Sequence, residues 1–291
     1  MKILICSDGM PAADNASRIG GLLARACRAE TVLFGIAEQR TDKKPLREAL
    51  EAEAQALRAQ GVAPKVVVGA GEPIRQMVNE TSATHYDLVV IGARHTGRTG
   101  LYWRSQKTYE VIKAIPAPVL VAVGERPQLK RFLVCTGGKA FIEGAVQLTG
   151  QLAAAAGASV TLLHVMAEPP AMYADLVKLE EDLDRLLESK SELGLNLLRQ
   201  KEDLTRLGVP TEVHIRHGIV LNQIFAEARQ GNHDLIVTGS LRARGIMRHY
   251  IMGDLTRSIL NHTDIPVLVA RGGKSRRGGF WKSLKRSFAR K

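Results

Sequence analysis

The sequence is poor in cysteine, in aromatic residues and in long apolar runs. Its 291 residues include three cysteines at scattered spacing, and aromatic residues make up 4% of the chain. Scattered cysteines in odd number do not form a disulfide framework, and reduced thiols are typical of the cytosol. No apolar run approaches the roughly 18 residues of a membrane-spanning helix, and the first apolar run is too short for a signal peptide. We therefore expect a cytoplasmic protein.

The patterns of common catalytic sites are also missing. The sequence contains no G-x-S-x-G motif and no cluster of cysteine and histidine. The stretch RGGKS at 271–275 departs from a phosphate-binding P-loop, because that motif needs a glycine where Leu268 stands. His214 and His217 are three residues apart on a predicted strand, so they point to opposite faces and form a poor metal site. We expect neither an enzyme nor a resident metal ion.

The net charge of +12 is concentrated at the carboxyl end of the chain. Residues 272–291 carry eight lysines and arginines and no acid, which leaves +4 for all other residues. Within 280–291, Trp281, Leu284 and Phe288 would share one face of a helix. Such a basic amphipathic segment suits an anionic membrane surface or an acidic protein, and a disordered solubilising tail remains the alternative. Nucleic acid fits less well, because phosphate contacts need charge but no aromatic residues.

The chain repeats itself, because four apolar segments recur in the same order in its two halves. The matching segments are 2–9 and 131–138, 31–38 and 159–168, 85–93 and 232–240, and 115–123 and 262–271. Each contains a continuous run rich in valine, isoleucine and leucine. Such runs are typical of strands that are buried on both faces of a parallel sheet.

Helical segments and further strands lie between the repeated segments. Residues 13–29 and 44–61 are amphipathic, and 63–69 and 210–218 add one predicted strand to each half. Each half therefore reads β-α-β-α-β-α-β-α-β, which predicts five parallel strands with helices on both faces. The leucine-rich stretch 176–208 indicates a long helix packed on the sheet, with a coiled coil that pairs two chains into a homodimer as the alternative.

The ordered set of segments resembles the universal stress protein family in its tandem form. The resemblance rests on DLVVIGA (87–93), DLIVTGS (234–240) and the endings PVLVAV and PVLVAR. It implies an α/β fold of two flavodoxin-like, Rossmann-like five-stranded parallel-sheet domains, packed about a pseudo-two-fold axis. It also implies that 118–123 and 266–271 face each other. The resulting domain prediction is 1–124 and 129–271, followed by a flexible basic amphipathic tail at 272–291.

The resemblance also bears on nucleotide binding by the first half. ATP-binding members of the family carry an aspartate after the first strand and the loop G-x2-G-x9-G-[ST] after the fourth. Glycines let backbone N–H groups approach the phosphates, and the final pair opens a helix whose positive end faces them. The first half has the aspartate, but its loop spacing departs from the pattern. The resemblance therefore suggests weak ATP binding through the first-half candidates Asp8, Gly92, Gly97, Gly100 and Ser105.

The second half departs further from that pattern. Gly137 replaces the aspartate, and Arg242 stands where the second glycine belongs. The remaining candidates are Gly239, which starts the predicted loop, and Gly253, which Asp254 follows. We expect Asp254 to cap the helix amides that a phosphate would use. Two like charges about 4 Å apart also repel by about 4 kcal/mol at an effective dielectric constant near 20, so we expect a degraded site.

Three functions therefore remain open on the sequence alone. The favoured one is a non-enzymatic stress-response or signalling module that binds a nucleotide weakly. The second is an ATP-hydrolysing enzyme. The third is a peripheral adaptor at the inner membrane surface, which its basic tail would bind.

Overall fold

The computed structural model describes most of the chain, namely residues 1–10, 15–37, 39–92, 106–137, 143–167, 191–242, 250–251 and 253–271. The strands are β1 (Lys2–Cys6), β2 (Glu30–Ala37), β3 (Lys65–Ala70), β4 (Leu88–Gly92), β5 (Val119–Ala122), β6 (Arg131–Cys135), β7 (Ser159–Met166), β8 (Thr211–His217), β9 (Leu235–Arg242), β10 (Tyr250–Ile251) and β11 (Val267–Arg271). The helices are α1 (Asn15–Cys27), α2 (Lys43–Ala59), α3 (Pro73–Ala83), α4 (Gln106–Ala114), α5 (Glu143–Ala156), α6 (Glu192–Arg206), α7 (Val220–Gln230) and α8 (Asp254–His262). None of these helices is long and apolar enough to cross a membrane.

Ten of these strands form a single sheet. Their order is β3-β2-β1-β4-β5-β11-β9-β6-β7-β8, and neighbouring strands are parallel within each half. Each half thus has the order 3-2-1-4-5 of a Rossmann-type sheet rather than the flavodoxin order 2-1-3-4-5. The predictions of two five-stranded parallel units and of a pseudo-two-fold arrangement are confirmed.

Two hydrophobic cores cover the two faces of this sheet, and each core contains residues of both halves. Successive strand residues point to opposite faces, so Ile3 lies in the core beneath α1, α2, α5 and α6, whereas Leu4 lies in the core beneath α3, α4, α7 and α8. Because both faces are buried, the strands are apolar without alternation. The two halves therefore share their cores as well as their sheet.

The predicted helix at 176–208 is described only in part. Helix α6 begins at Glu192, after the N-cap Ser191, whose hydroxyl accepts the amide of Gly194. Leu197 and Leu204 of α6 are buried against the sheet, as the packed-helix interpretation requires. The leucines of the stretch before 191 lie outside the described residues.

The two halves meet at an antiparallel pair formed by their last strands. Leu120 of β5 lies opposite Leu268 of β11, so the expected contact between 118–123 and 266–271 is confirmed. The chain leaves β5 through Gly124, whose φ of 60° favours glycine. A Cβ atom there would lie 2.2 Å from the carbonyl oxygen of Asp264. The turn out of the first half therefore depends on glycine.

Helices α4 and α8 contact each other beside this strand pair. The hydroxyl of Tyr109 donates a hydrogen bond to the side-chain oxygen of Asn261. The guanidinium of Arg257 lies 5.3 Å from the centre of the Tyr109 ring, a distance typical of a cation–π contact. Tyr109 and Arg257 occupy equivalent positions of the two halves, so the pseudo-two-fold axis passes between two different but complementary side chains.

Arg271, the last residue of β11, fastens the second half to the first. Its buried guanidinium donates to the carbonyl oxygens of Ala117 at 2.9 Å and Ile115 at 2.8 Å, and also to that of Ile112. These carbonyls lie at and just beyond the carboxyl end of α4, where helical carbonyls lack partners of their own. One cation thus satisfies a helix end that belongs to the other half.

We expect Arg271→Met to destabilise the protein strongly. The methionine keeps the apolar stem, but it leaves three buried carbonyl groups without their donor, at a cost of about 3 kcal/mol. Urea denaturation monitored by circular dichroism measures this cost as a lower midpoint. Arg206→Met is the matched control, because that arginine is 65% exposed and forms only surface ion pairs, worth under about 1 kcal/mol. Equal losses in the two variants would contradict the role given to Arg271.

Candidate functional site

In each half the chain adds strands first to one side of its first strand and then to the other, and the place where it changes side is the topological switch point. Ligands of Rossmann-type sheets bind there, beyond the carboxyl ends of the strands. In the first half the switch point lies between β1 and β4, so Asp8 and Gly92 come together. In the second half it lies between β6 and β9, which brings Gly137 and Gly239 to the corresponding place. Because the halves meet antiparallel, the two candidate sites lie at opposite edges of the sheet.

Asp8 of the first-half site closes a tight turn after β1. Its carboxylate accepts the backbone N–H of Met10 at 3.1 Å, and its side chain is exposed. Gly92 ends β4 close to the start of α1, since a Cβ at Gly92 would lie 3.8 Å from that of Ala16. The first-half site therefore combines the carboxylate of Asp8, the backbone of Gly92 and the beginning of α1.

A second carboxylate in the same place was not predicted. Glu53 of α2 accepts hydrogen bonds from the hydroxyl of Ser7 at 2.7 Å and from the hydroxyl of Ser17. Both serines are buried, one at the end of β1 and one in α1. The sequence signal was an acid beside the apolar stripe of α2, which Leu50, Ala54 and Leu57 form. Glu53 is thus a second carboxylate near the end of β1, where Ser7 directly precedes Asp8 in the chain.

The second-half site differs from the first-half site in sequence, and its loop does not begin where the sequence predicts. Gly137 is exposed, and a Cβ there would meet nothing within 4 Å, so the position has room for a side chain but carries none. The loop predicted to start at Gly239 does not start there. Strand β9 continues to Arg242, where it pairs antiparallel with β10. Strand pairing beyond the sheet edge therefore replaces the start of the expected loop.

The expected cap by Asp254 is wrong. Gly253 is the N-cap residue of α8, with φ −65° and ψ 158°, and Asp254 is already the first helical residue. As the first helical residue, Asp254 instead adds a negative charge at the positive end of the α8 dipole, where acidic side chains are favourable. Within the described part of the chain, the exposed carboxylate of Asp254 accepts no hydrogen bond from the amides of the first turn of α8.

The structure thus brings four of the seven predicted residues to the two carboxyl edges: Asp8, Gly92, Gly239 and Gly253. The other three, Gly97, Gly100 and Ser105, lie outside the described residues. Among the residues that are described, no group of three or more histidines, cysteines or acids could hold a metal ion.

A separate group of charged residues lies on the edge strand of the second half. The carboxylate of Glu227 in α7 is buried between His214 and Arg216 of β8. Nδ1 of His214 lies 2.9 Å from one carboxylate oxygen, and Nε of Arg216 donates to the other at 2.6 Å. The guanidinium of Arg216 also donates to the amide oxygen of Gln230 at 2.6 Å. We call these four residues the second-half ion cluster.

The environment of the second-half ion cluster shifts two pKa values. Burial raises the pKa of Glu227, but the hydrogen bonds and charges of His214 and Arg216 outweigh burial, so that pKa lies below its ordinary value of 4.5. Burial lowers the pKa of the neighbouring His233, whose ring lies 3.1 Å from the hydroxyl of Thr161. The sequence indicated only that His214 of β8 is a polar strand residue. It did not show the contact with Glu227, because that partner lies on a separate helix.

The fold defines a tandem of two Rossmann-type α/β units that share one sheet. The model of the universal stress protein family matches residues 1–122 and 128–271, so the chain belongs to that family. The resemblance read from the sequence, including its tandem form, is confirmed. No curated protein matches the chain at a significant level of similarity.

Solved structures with the same fold cover nearly the whole chain. A universal stress protein from Archaeoglobus fulgidus DSM 4304 is 19% identical, with a TM-score of 0.69 and coverage of 94% of this chain and 98% of that protein. A functionally unknown protein from Pseudomonas aeruginosa PAO1 is 18% identical, with a TM-score of 0.67 and coverage of 93% and 92%. A putative universal stress protein from P. aeruginosa UCBPP-PA14 is 18% identical, with a TM-score of 0.67 and coverage of 93% of each chain.

We expect Glu227→Gln to remove stability at neutral pH and to weaken its dependence on acid. The folded pKa of Glu227 is depressed, so its stabilisation is present above pH 4.5 and is lost as the pH falls through the lower folded value. Removing the charge weakens the hydrogen bonds that join this side chain to His214 and Arg216, at a cost of about 2 kcal/mol. Urea midpoints between pH 7 and pH 3 measure both effects. Parallel pH profiles for the wild type and the variant would rule out this role for Glu227.

Proposed function

We propose that this protein is a non-catalytic stress-response or signalling module that binds an adenine nucleotide weakly in its first half, while the second-half site no longer binds one. Members of the universal stress protein family bind nucleotides. The observation that carries the proposal is the difference between the two switch points: the exposed carboxylate of Asp8 follows β1 in the first half, whereas Gly137 stands at the equivalent place in the second.

Asp8 suits the base or the ribose of a nucleotide better than its phosphates. A carboxylate accepts hydrogen bonds from amino and hydroxyl groups, whereas it repels a phosphate. Glu53, held by the hydroxyls of Ser7 and Ser17, adds to that repulsion. These two negative charges are the reason we propose weak rather than tight binding of a triphosphate.

The second-half site lacks both features that support the first. Gly137 offers no carboxylate, and strand β9 extends to Arg242 where the glycine-rich loop would begin. Among the residues that the structure describes, the side chain of Asp254 accepts no hydrogen bond from the amides of α8. Its negative charge nevertheless lies in the first turn of that helix. A phosphate placed there would lie close to a like charge that costs about 4 kcal/mol at about 4 Å.

The absence of a catalytic group from the sequence patterns supports a binding function rather than hydrolysis. The family is generally non-catalytic. The buried hydroxyls of Ser7 and Ser17 both donate to the carboxylate of Glu53.

The basic tail supports a second role, that of a peripheral membrane adaptor. Residues 280–291 lie outside the described residues, and the proposal rests on their sequence alone. The tail follows Arg271 in the sequence, and Arg271 ends β11, the strand that pairs with β5 of the first half. The tail would bring the folded halves to an anionic surface, where they would recognise a protein partner.

Calorimetric titration with ATP and Mg²⁺ tests the nucleotide proposal. We expect one site per chain with a Kd weaker than about 0.1 mM, and no release of phosphate. Asp8→Ala should weaken binding at least about fivefold, because it removes one hydrogen-bond acceptor. Asp203→Ala on the distant helix α6 is the matched control and should bind like the wild type. A micromolar Kd, or phosphate release that Asp8→Ala abolishes, would refute the proposal.

Sedimentation with liposomes tests the role of the tail. We expect the full chain to sediment with vesicles that contain anionic lipid, and a chain that ends at residue 279 to remain in solution. Binding should fall steeply with added salt, because charges near the surface are screened over about 8 Å at physiological ionic strength. Vesicles of neutral lipid are the control. Equal sedimentation of both chains would show that the tail is not a membrane anchor.

A further inference from the structure

An open groove runs along the edge strand of the first half. It has a volume of about 620 Å³ and lies between β3 and α3. Its floor is apolar, with Phe34 and Val67 beside the small residue Gly69. Polar side chains surround this floor: Lys43, Gln76, Asn79 and Glu80. The groove is remote from the switch point of β1 and β4, since β2 separates β3 from β1.

The second half has the same strand and helix, but large charged side chains cover the equivalent floor. A shift of 147 residues relates β3 and α3 to β8 and α7, because Gly71 and Leu88 correspond to Gly218 and Leu235. The second-half ion cluster therefore stands at the positions that line the groove. His214, Arg216, Glu227 and Gln230 replace, in that order, Val67, Gly69, Glu80 and Ala83.

The glutamate is the residue that the first-half groove and the second-half ion cluster have in common: Glu80 in the groove corresponds to Glu227 in the cluster. Glu227 accepts the guanidinium of Arg216 and contacts His214, whereas the residues opposite Glu80 are a valine and a glycine. The first half thus keeps the acceptor of the second-half ion cluster and replaces its cations by small apolar residues. In the second half, the groove is filled by a guanidinium group that the chain itself provides.

The carboxylate of Glu80 is held in position by one neighbour. The hydroxyl of Tyr86 donates to one carboxylate oxygen at 2.5 Å, while burial and this hydrogen bond raise the pKa of Tyr86. Lys2 lies over the Tyr86 ring at 5.6 Å, but it pairs with Glu30 at 2.7 Å. Within the described residues, the second carboxylate oxygen of Glu80 accepts no hydrogen bond from the protein. That oxygen faces a site lined by Val67, Gly69 and Ala83.

Lys43 lies toward the other end of the groove. It begins α2, which follows the carboxyl end of β2, whereas Glu80 lies in the last turns of α3 near the amino end of the sheet. The floor from Val67 to Ala70 is about 10 Å long at about 3.3 Å per residue. A ligand with a cationic group at one end, an apolar chain and an anionic group at the other end would match this arrangement.

We propose that the first-half groove is a binding site for a guanidinium group with an apolar stem, as found in arginine. The guanidinium would donate to Glu80, as Arg216 donates to Glu227, and its stem would lie on Val67 and Gly69. A carboxylate at the far end would face Lys43. The site is separate from the proposed nucleotide site, because it shares none of the residues Asp8, Glu53 and Gly92.

Titration with free L-arginine, followed by two-dimensional NMR of the labelled full chain, tests this proposal. We expect shifts of the backbone amides of 67–70 and of α3, with the equivalent amides of β8 and α7 unaffected. L-citrulline is the matched control ligand, because it has the same shape but a neutral ureido group. It should bind at least about tenfold more weakly, as expected when a charge-assisted hydrogen bond becomes a neutral one.

Two variants locate the site. Glu80→Gln keeps the acceptor for Tyr86 but removes the charge, and it should weaken arginine binding about tenfold. Gly69→Arg should abolish binding by placing a guanidinium of the chain on Glu80. A Cβ at position 69 would meet Phe34 and Gln76 at 3.3 Å, so circular dichroism must confirm that this variant folds. Glu48→Gln, on an exposed position of α2, should bind like the wild type.

A pentapeptide with one central arginine separates the two sources of the group. Tighter binding of the peptide than of free arginine would identify the ligand as an arginine of an extended segment beside β3. Tighter binding of free arginine would identify a small molecule. If neither probe shifts the amides of 67–70, or if citrulline binds as well as arginine, the proposal is wrong. None of these outcomes depends on whether the protein binds ATP.

Discussion

The antiparallel pairing of β5 with β11 is the contact on which the rest of the structure depends. Each half is a parallel sheet, and alone it would expose the unpaired edge of its last strand. The pairing covers both edges at once and merges the two cores across it. It also fixes the geometry of function, because antiparallel halves place their carboxyl edges on opposite sides of the molecule. A ligand at one switch point therefore shares no residue with a ligand at the other.

Fusion of the two halves in one chain allows this contact to be asymmetric. In a symmetric pair of identical chains, a residue on the axis would meet its own copy. Here the equivalent positions hold Tyr109 and Arg257, which attract each other. Val123 and Arg271 are equivalent as well, yet only the arginine satisfies the carbonyls at the end of α4. Complementary differences across the axis thus bind the halves more specifically than identical residues could.

The sequence predicted the fold well because the repeated apolar runs and their order determine a parallel sheet. Asp8 and Gly92 were candidates because the family resemblance expects nucleotide-binding residues after the first and fourth strands, and the structure places both residues at or just after the ends of those strands. The sequence did not predict the features that depend on a contact between two separate helices or strands. The position of Glu53 beside Ser7 depends on how α2 packs, and the second-half ion cluster depends on the contact between β8 and α7. The start of the second-half loop was misplaced because the pairing of β9 with β10 has no short-range signal.

The differences between the halves follow one direction. On the edge strands, a side chain of the second half occupies a place that the first half leaves open: Arg216 stands at the position of Gly69, and its guanidinium donates to Glu227. Charged residues on β8 also discourage another strand from pairing with that edge, whereas β3 carries a single charge, Lys65, at its start.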